Sequence, residues 1–251
     1  MAKFPASILV TAQRMKPAEA VKYFERKGMK ITWDWRETLD EANNLTFQVA
    51  KSINMEVLQT IRDDVNKAIS EGVTFADYKK NLQPRLMALG WWGKQEIAGK
   101  MVQLGSPWRL KTIYRTNLQS GYMAGRWKAQ EENKKNRPVL EYVAIEDDVT
   151  TPICQALNGV RKPVDDPFWN TNYPPNHFNC RSRVRALTEE QSEKRGGVTT
   201  KKLEMKDEKT NKMVPAKPAK GFNHNPGKAP YKAETKGIDP DIKKLGEKLK
   251  P

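Results

Sequence analysis

Thiol and imidazole groups are scarce in this chain, which has two cysteines and two histidines in 251 residues. Three of the four are Cys154, His177 and Cys180, and the last two stand three positions apart in a segment of turn-forming residues. Two thiolates and an imidazole are the donors zinc prefers, and a structural zinc site normally takes four. A carboxylate would then complete the set: Asp147 is the first candidate, with Asp148, Asp165 and Asp166 as the others. A metal-free reading of the same trio is a buried cluster in which the cysteines act as small hydrophobes. A catalytic reading makes a cysteine the nucleophile and His177 its base, which also demands an orienting group and a cleft. The chain has no Gly-Lys-Ser/Thr phosphate loop, Gly-x-Gly-x-x-Gly, His-Glu-x-x-His or Gly-x-Ser-x-Gly, so no catalytic residue is assigned.

The second chemistry in the sequence is cationic. Arg181, Arg183 and Arg185 alternate along a predicted strand, so their side chains share one face, suited to phosphates or partner carboxylates or simply solvated. Arg115 and Arg126 fall on a predicted helix and are further candidates for nucleic-acid or partner contacts, though their spacing is not specific for nucleic acid.

These residues must be positioned by elements that change character along the chain. Pro17 at a first helical turn, followed by Ala20, Val21 and Phe24, predicts a short helix that Gly28 closes in a left-handed conformation. After a Trp33 and Trp35 corner, Leu39, Ala42, Val49, Ala50 and Ile53 recur at helical spacing from about Thr38. Leu58, Ile61, Val65, Ala68 and Ile69 do so after a cap at Asn54 and up to Gly72. Thr74 with Asp77 predicts another start, with Pro84 kinking or splitting the helix that follows. A further helix is expected from Ser106 and Pro107 through Leu110, Ile113, Tyr114 and Leu118, in which Gly121 and Gly125 mark close approach of another backbone.

Beyond Pro138 the period becomes two. Val139 to Ile145 reads as a strand with apolar residues on both faces, Asn158-Gly159 as a tight turn, and Val160 to Val164 and Ser182 to Leu187 as further strands. From about Glu189 the composition turns to Lys, Glu, Pro, Gly and Thr, too polar to offset chain entropy, so an extended or disordered arm is expected. One knot of order, Gly221 to Gly227, interrupts it as a docking turn. The fold class is therefore α+β. A helical region at 1–95 is followed by a long helix and a small mixed α/β element with the Cys/His cluster at 96–190, and by a basic Lys/Pro-rich tail at 191–251.

A formal charge of +15 suits phosphates or acidic surfaces without choosing between them. The tail carries sixteen Lys/Arg against eight Asp/Glu, about half of the excess. Met1 to Val10 predict no secretion signal, and no run of about 18 apolar residues predicts a membrane span. With two cysteines and no export signal, free thiols or metal ligands are expected rather than a disulfide.

Taken in order, several motifs resemble one family, the phage head morphogenesis or minor head proteins of the phage Mu F type. They are Pro17 to Phe24, Trp33 with Trp35, Gly90-Trp91-Trp92-Gly93, and Ile113 to Tyr122 with Gly125-Arg126. The series continues with Cys154, Leu157-Asn158-Gly159, Asp165 to Trp169, and Tyr173 to Arg181. It covers roughly 17–190, and the ordered set is far more specific than any one member. The resemblance implies a virion component present in few copies, near the portal or inside the head, that works in head assembly, DNA packaging or DNA ejection. Its implied partners are the portal protein, other capsid components and DNA without sequence preference, with the host cytoplasm as its place during assembly. One departure bears on the metal. Many members carry Cys-x-x-Cys where this chain has Thr151-Pro152-Ile153-Cys154, and a neutral hydroxyl is a poor zinc ligand.

The expected function is a non-enzymatic binding and assembly role. The competing class is a thiol- or metal-dependent hydrolase, a nuclease or peptidase, centred on Cys154, His177 and Cys180. A host-encoded nucleic-acid-binding module would explain the charge but not the ordered aromatic motifs.

Overall fold

The computed structural model describes residues 17–228. They form two compact units, one holding the described residues up to Tyr122 and the other Met123–Lys228.

The first unit is built on helices. Helix α1 (Pro17–Glu25) is followed by β1 (Gly28–Met29), a 3-10 turn (Trp35–Glu37), α2 (Asp40–Leu45) and β2 (Thr46–Phe47). Helices α3 (Met55–Glu71) and α4 (Phe75–Ala88), the hairpin strands β3 (Lys94–Ile97) and β4 (Lys100–Gln103), and α5 (Pro107–Glu132) complete it. The residues of α5 from Met123 onward belong to the second unit. Helix α3 starts where the Asn54 side chain accepts from Val57 N and stops where Gly72 turns left-handed at φ 71°, a conformation that glycine adopts without a Cβ clash. The Thr74 hydroxyl accepts from Asp77 N to start α4. The apolar stripe of α3, with Val57, Leu58, Ile61, Val65, Ala68 and Ile69, packs with Phe24, Phe47, Tyr78, Leu82, Leu86 and Trp91 into one core. The close approach expected at Gly121 is not one that demands glycine: a Cβ there would stand 3.5 Å from Ala20 Cβ and Ala20 O of α1, an ordinary van der Waals contact.

Two local expectations fail here for physical reasons, and one arm of a third does. The helix expected from Thr38 to Ile53 ends at Leu45, because Thr46 and Phe47 pair in parallel with Gly28 and Met29. Asn43 and Asn44, weak helix formers, are bonded from outside by Lys27 and Tyr23. Gly28 opens β1 and is not among the glycines with positive φ. Pro84 does not split α4; it sits on the exposed side, where water can serve the carbonyl that loses its partner.

The second unit is mixed. Strand β5 (Val139–Val143) lies between β6 (Arg161–Pro163) and β7 (Arg183–Leu187), both antiparallel to it. Helix α6 (Pro152–Leu157) and the short α7 (Phe168–Thr171) sit in the connections, and α8 (Glu189–Glu193) follows the sheet. Asn158-Gly159 serves as the exit from α6, with Gly159 at φ 73° and its N–H donating to Tyr142 O. Leu140, Tyr142, Leu157, Trp169, Tyr173 and Val184 share a core with Met123 and Trp127 of α5. On the other face of the sheet Glu141, 4% exposed, bonds Arg161 at 3.3 Å and Arg185 from the flanking strands.

The expected disordered arm is ordered over its described part. After Gly196 and Gly197, Thr199 exchanges hydrogen bonds with Arg161 along the β6 edge. The hairpin of β8 (Glu204–Lys206) and β9 (Met213–Pro215) follows. Phe222 packs edge-on against Phe178 at 4.9 Å, Asn225 donates to Trp169 O, and Lys228 lies over the Trp127 ring. The docking turn expected at Gly221 to Gly227 therefore docks on its own unit. Composition misled because a handful of buried side chains, not average polarity, decides whether a strap adheres. The rest of the predicted tail lies outside the described residues. No helix among the described residues is long and apolar enough to cross a membrane.

Candidate metal centre

Two elements deliver the trio and a third lines it. Cys154 stands in the first turn of α6, with Thr151 as its N-cap residue and Pro152 at its first position. His177 and Cys180 face inward from one tight turn, closed by Cys180 N donating to His177 O at 3.2 Å. Asn179 permits that turn by adopting φ 60°, a conformation asparagine tolerates better than most. Strand β5 supplies Tyr142, whose hydroxyl lies 3.4 Å from Cys154 Sγ and accepts from Asn176 Nδ2 at 2.9 Å.

Cys154 Sγ is 3.2 Å from His177 Nε2 and 3.8 Å from Cys180 Sγ, and the three donor atoms lie within 4.8 Å of one another. Both cysteines are buried and reduced. His177 Nδ1 is 2.8 Å from Phe178 O. A carbonyl can only accept, so Nδ1 carries a proton, and in the neutral imidazole that a metal would bind Nε2 presents its lone pair to the sulfurs. The electrostatics favour one thiolate. The Cys180 thiol foremost, opposed by burial and aided by His177, Ser182 and Tyr142, pulls the Cys154 pKa below its ordinary value. Burial, then Cys154, pushes Cys180 well above it. Burial works to lower His177, but its bond to Cys154 leaves it raised. Two sulfurs and a correctly presented imidazole nitrogen at this separation are a donor set that fits zinc.

Asp147 is not brought into the trio. Its carboxylate takes two bonds from Arg181, at 2.7 and 2.5 Å, and others from the Thr150 hydroxyl and Val149 N. Arg181, ahead of the other donors, holds the Asp147 carboxyl well below the usual range. Of the alternatives, Asp165 pairs with Lys134 at 3.0 Å and Asp166 accepts from Phe168 N. Among the described residues the metal-competent group is Cys154, His177 and Cys180 alone.

The cationic candidates divide. Arg181 and Arg185 are committed to Asp147 and Glu141. Arg183 lies on the same face of β7 as Arg185, Arg181 preceding the strand, and forms no side-chain ion pair with the described residues. Arg126 points at Val184 O at 3.4 Å, next to Gln130, which donates to the same carbonyl at 3.0 Å. Together they occupy the outer edge of β7, which lowers the tendency of an edge strand to pair with another chain. Arg115 is half-buried on α5 in the first unit.

Residue reasoning passed over Thr151 except as a departure from a pattern. Its hydroxyl makes no capping bond to α6 and instead lies 2.9 Å from His177 Nε2. A signal was available: Thr151 precedes Cys154 by the three positions that separate His177 from Cys180. Tyr142 and Asn176 gave no comparable signal, since strand periodicity and turn composition account for both.

An α+β chain whose cysteines belong to the hydrophobic core itself, and whose imidazole is aimed at them, has the build of a protein stapled at its centre. This chain belongs to the family of Phage Mu protein F like proteins, whose family model matches residues 59–185. It is 40% identical to the candidate capsid assembly protein F of Escherichia phage Mu over 249 residues, covering 89% of this chain and 57% of that protein. It is 47% identical to the Mu-like prophage FluMu F protein of Haemophilus influenzae over 169 residues, covering 67% of this chain and 41% of that one. The chain thus spans about half the length of these curated relatives. No solved structure matches it.

Proposed function

We propose that this protein is a structural component of a phage head, acting in capsid assembly through contacts rather than through bond-making chemistry. The observation that carries the reading is the 40% identity, extending over 89% of the chain, to a phage Mu protein named for capsid assembly. The site agrees with it: the thiols sit in the core, 2% and 5% exposed, where a nucleophile would have no room to meet a macromolecular substrate. In this reading Cys154 Sγ, His177 Nε2 and Cys180 Sγ hold zinc. Once bound, the ion supplies a cross-link between α6 and the 177–180 turn beneath the sheet.

The finer reading places the protein in the virion in few copies, at the portal vertex or in the head interior, in contact with the portal protein and with packaged DNA. Exposed lysines at 201, 202, 206, 209, 212, 217 and 220 along the strap supply a sequence-independent cationic surface. Apart from Lys202, which pairs with Glu204 at 2.9 Å, they suit this role better than Arg181 and Arg185, which are paired with Asp147 and Glu141. If DNA is bound this way, log affinity falls linearly with log salt, with a slope near −0.9 per phosphate neutralised, and a salt-insensitive affinity would count against it.

The deciding experiment is quantitative mass spectrometry of gradient-purified particles, counting this chain against the major capsid protein. A reproducible low ratio supports a minor virion component; absence from sound particles sinks that placement and points to a transient assembly factor. Turnover of DNA or peptide that is lost on chelation and in a folded His177→Ala variant would replace this reading with a hydrolase.

A further inference from the structure

We infer that the metal held by Cys154, His177 and Cys180 keeps one coordination position that no side chain of this protein closes, reached through the cleft beside Thr151 and taken by water or a small anion. The inference rests on the zinc reading above and deepens it.

The first support is the donor count. Zinc takes four ligands in a closed structural site, and a site with three protein donors keeps the fourth position for a small exogenous ligand. Among the described residues the cluster contains three donors, and the carboxylate that sequence would recruit, Asp147, is held by Arg181, Thr150 and Val149 N.

The second support is Thr151. It is the N-cap residue of α6, the place where a threonine hydroxyl usually accepts from a backbone N–H of the first turn. Here it makes no such bond, and its Oγ1 lies 2.9 Å from His177 Nε2, the nitrogen that faces the two sulfurs. Thr151 thus reaches the centre, one helical turn before Cys154, with a neutral hydroxyl. That group binds zinc poorly and hydrogen-bonds a metal-bound water or anion well.

The third support is access. A small cleft lined by Thr150, Thr151, Cys154, His177, Arg181 and Ser182 leads to the cluster, and His177 is only half-buried while both cysteines are buried. The imidazole side of the centre is therefore the side open to solvent. Its walls set the Thr150, Thr151 and Ser182 hydroxyls beside Ile145 and Val149, and the cleft is small, so the ligand it can take at the metal is water or a small monodentate anion.

The test uses the full chain reconstituted with Co(II), whose visible spectrum reports ligand number and thiolate bonding, with azide and acetate as probes. The expected result is one Co(II) per chain, a spectrum that shifts on saturable addition of azide, and in Thr151→Val the same metal stoichiometry with a weaker azide response, because the hydroxyl that would hydrogen-bond the ligand is gone. Thr151→Cys should gain thiolate-to-metal absorption, lose the azide response and surrender its metal to a chelator roughly 10–100-fold more slowly. A wild-type spectrum indifferent to azide and acetate would overturn the open position while leaving the metal site standing. Loss of metal in a folded Thr151→Val variant would make Thr151 a ligand and overturn it equally. Failure of the wild-type chain to bind Co(II) or Zn(II) would remove the zinc reading itself.

Discussion

In the first unit the side chains of α3 that leave solvent are Val57, Leu58, Ile61, Val65, Ala68 and Ile69, and they meet other hydrocarbon. At the same depth in the second unit stand Glu141, Asn176, Ser182, Cys154 and Cys180. The first interior also has a buried cation, Lys27, but it is served by a single carbonyl, Asn43 O at 3.0 Å, and by the Tyr23 ring. The second matches its buried carboxylate with two guanidinium groups and its thiols with a histidine. Dispersion and apolar burial tolerate small errors of position, whereas a buried polar network is costly when any member lacks its partner. The second unit should therefore be the more specified and the more fragile of the two.

On the proposed zinc reading, the widest separation between the units should come from removing that metal. Chelation, or His177→Ala, is expected to cost the second unit more than about 5 kcal/mol, given roughly 10–16 kcal/mol for structural zinc in small peptides. Hydrogen exchange read by mass spectrometry should then show protection lost over 123–228 and kept over 17–122. Equal protection before and after chelation would mean that the second core stands on apolar packing as the first does. Next in size, Ile61→Ala should cost about 2–5 kcal/mol and lower the unfolding midpoint by roughly 2–4 °C per kcal/mol, with no dependence on metal. A metal-dependent loss would dissolve the distinction between the units.

Glu141→Gln should cost about 3 kcal/mol, at the low end for a buried pair because Arg185 is 41% exposed and its share is screened. Urea unfolding checks this, and a neutral effect would show that the sheet does not need the charge. The smallest change has the opposite sign. Burial, then Arg26, lowers the Lys27 pKa from 10.5 to about 7, so between those values the unfolded chain binds the extra proton and stability rises with pH. Lys27→Met should therefore stabilise the protein, on the order of 1 kcal/mol, most at pH 7 and below. The gain should fade toward pH 10.5; a pH-independent gain would trace it to packing instead.

What the sequence told in advance follows from how local each determinant is. Helix α3 could be read because its stripe, its Asn54 cap and its Gly72 stop all lie within the segment. The double-sided burial of β5 was legible from Val139 to Val143, because both alternating sets are apolar save Glu141. The extent of α2 was not, since Thr46 and Phe47 are drawn into pairing by residues nearly twenty positions earlier. The strap was misread for the same reason: its order depends on Phe178, Trp169 and Trp127, which supply the surfaces it meets. In the candidate centre, the donor types and the three-residue spacing of His177 and Cys180 were visible. The commitment of Asp147 to Arg181 and the turn of Thr151 toward the imidazole are tertiary facts that spacing does not carry.

The strap also separates covalent continuity from structural integrity. Its hairpin loop, from Asp207 to Lys212, presents exposed lysines at 209 and 212, while Phe222, Asn225 and Pro226 beyond it are buried in the body of the unit. A trypsin nick in that loop would leave two polypeptides that travel together through a sizing column and part only in detergent. The cleaved protein would behave as a two-piece molecule held shut by its own downstream segment.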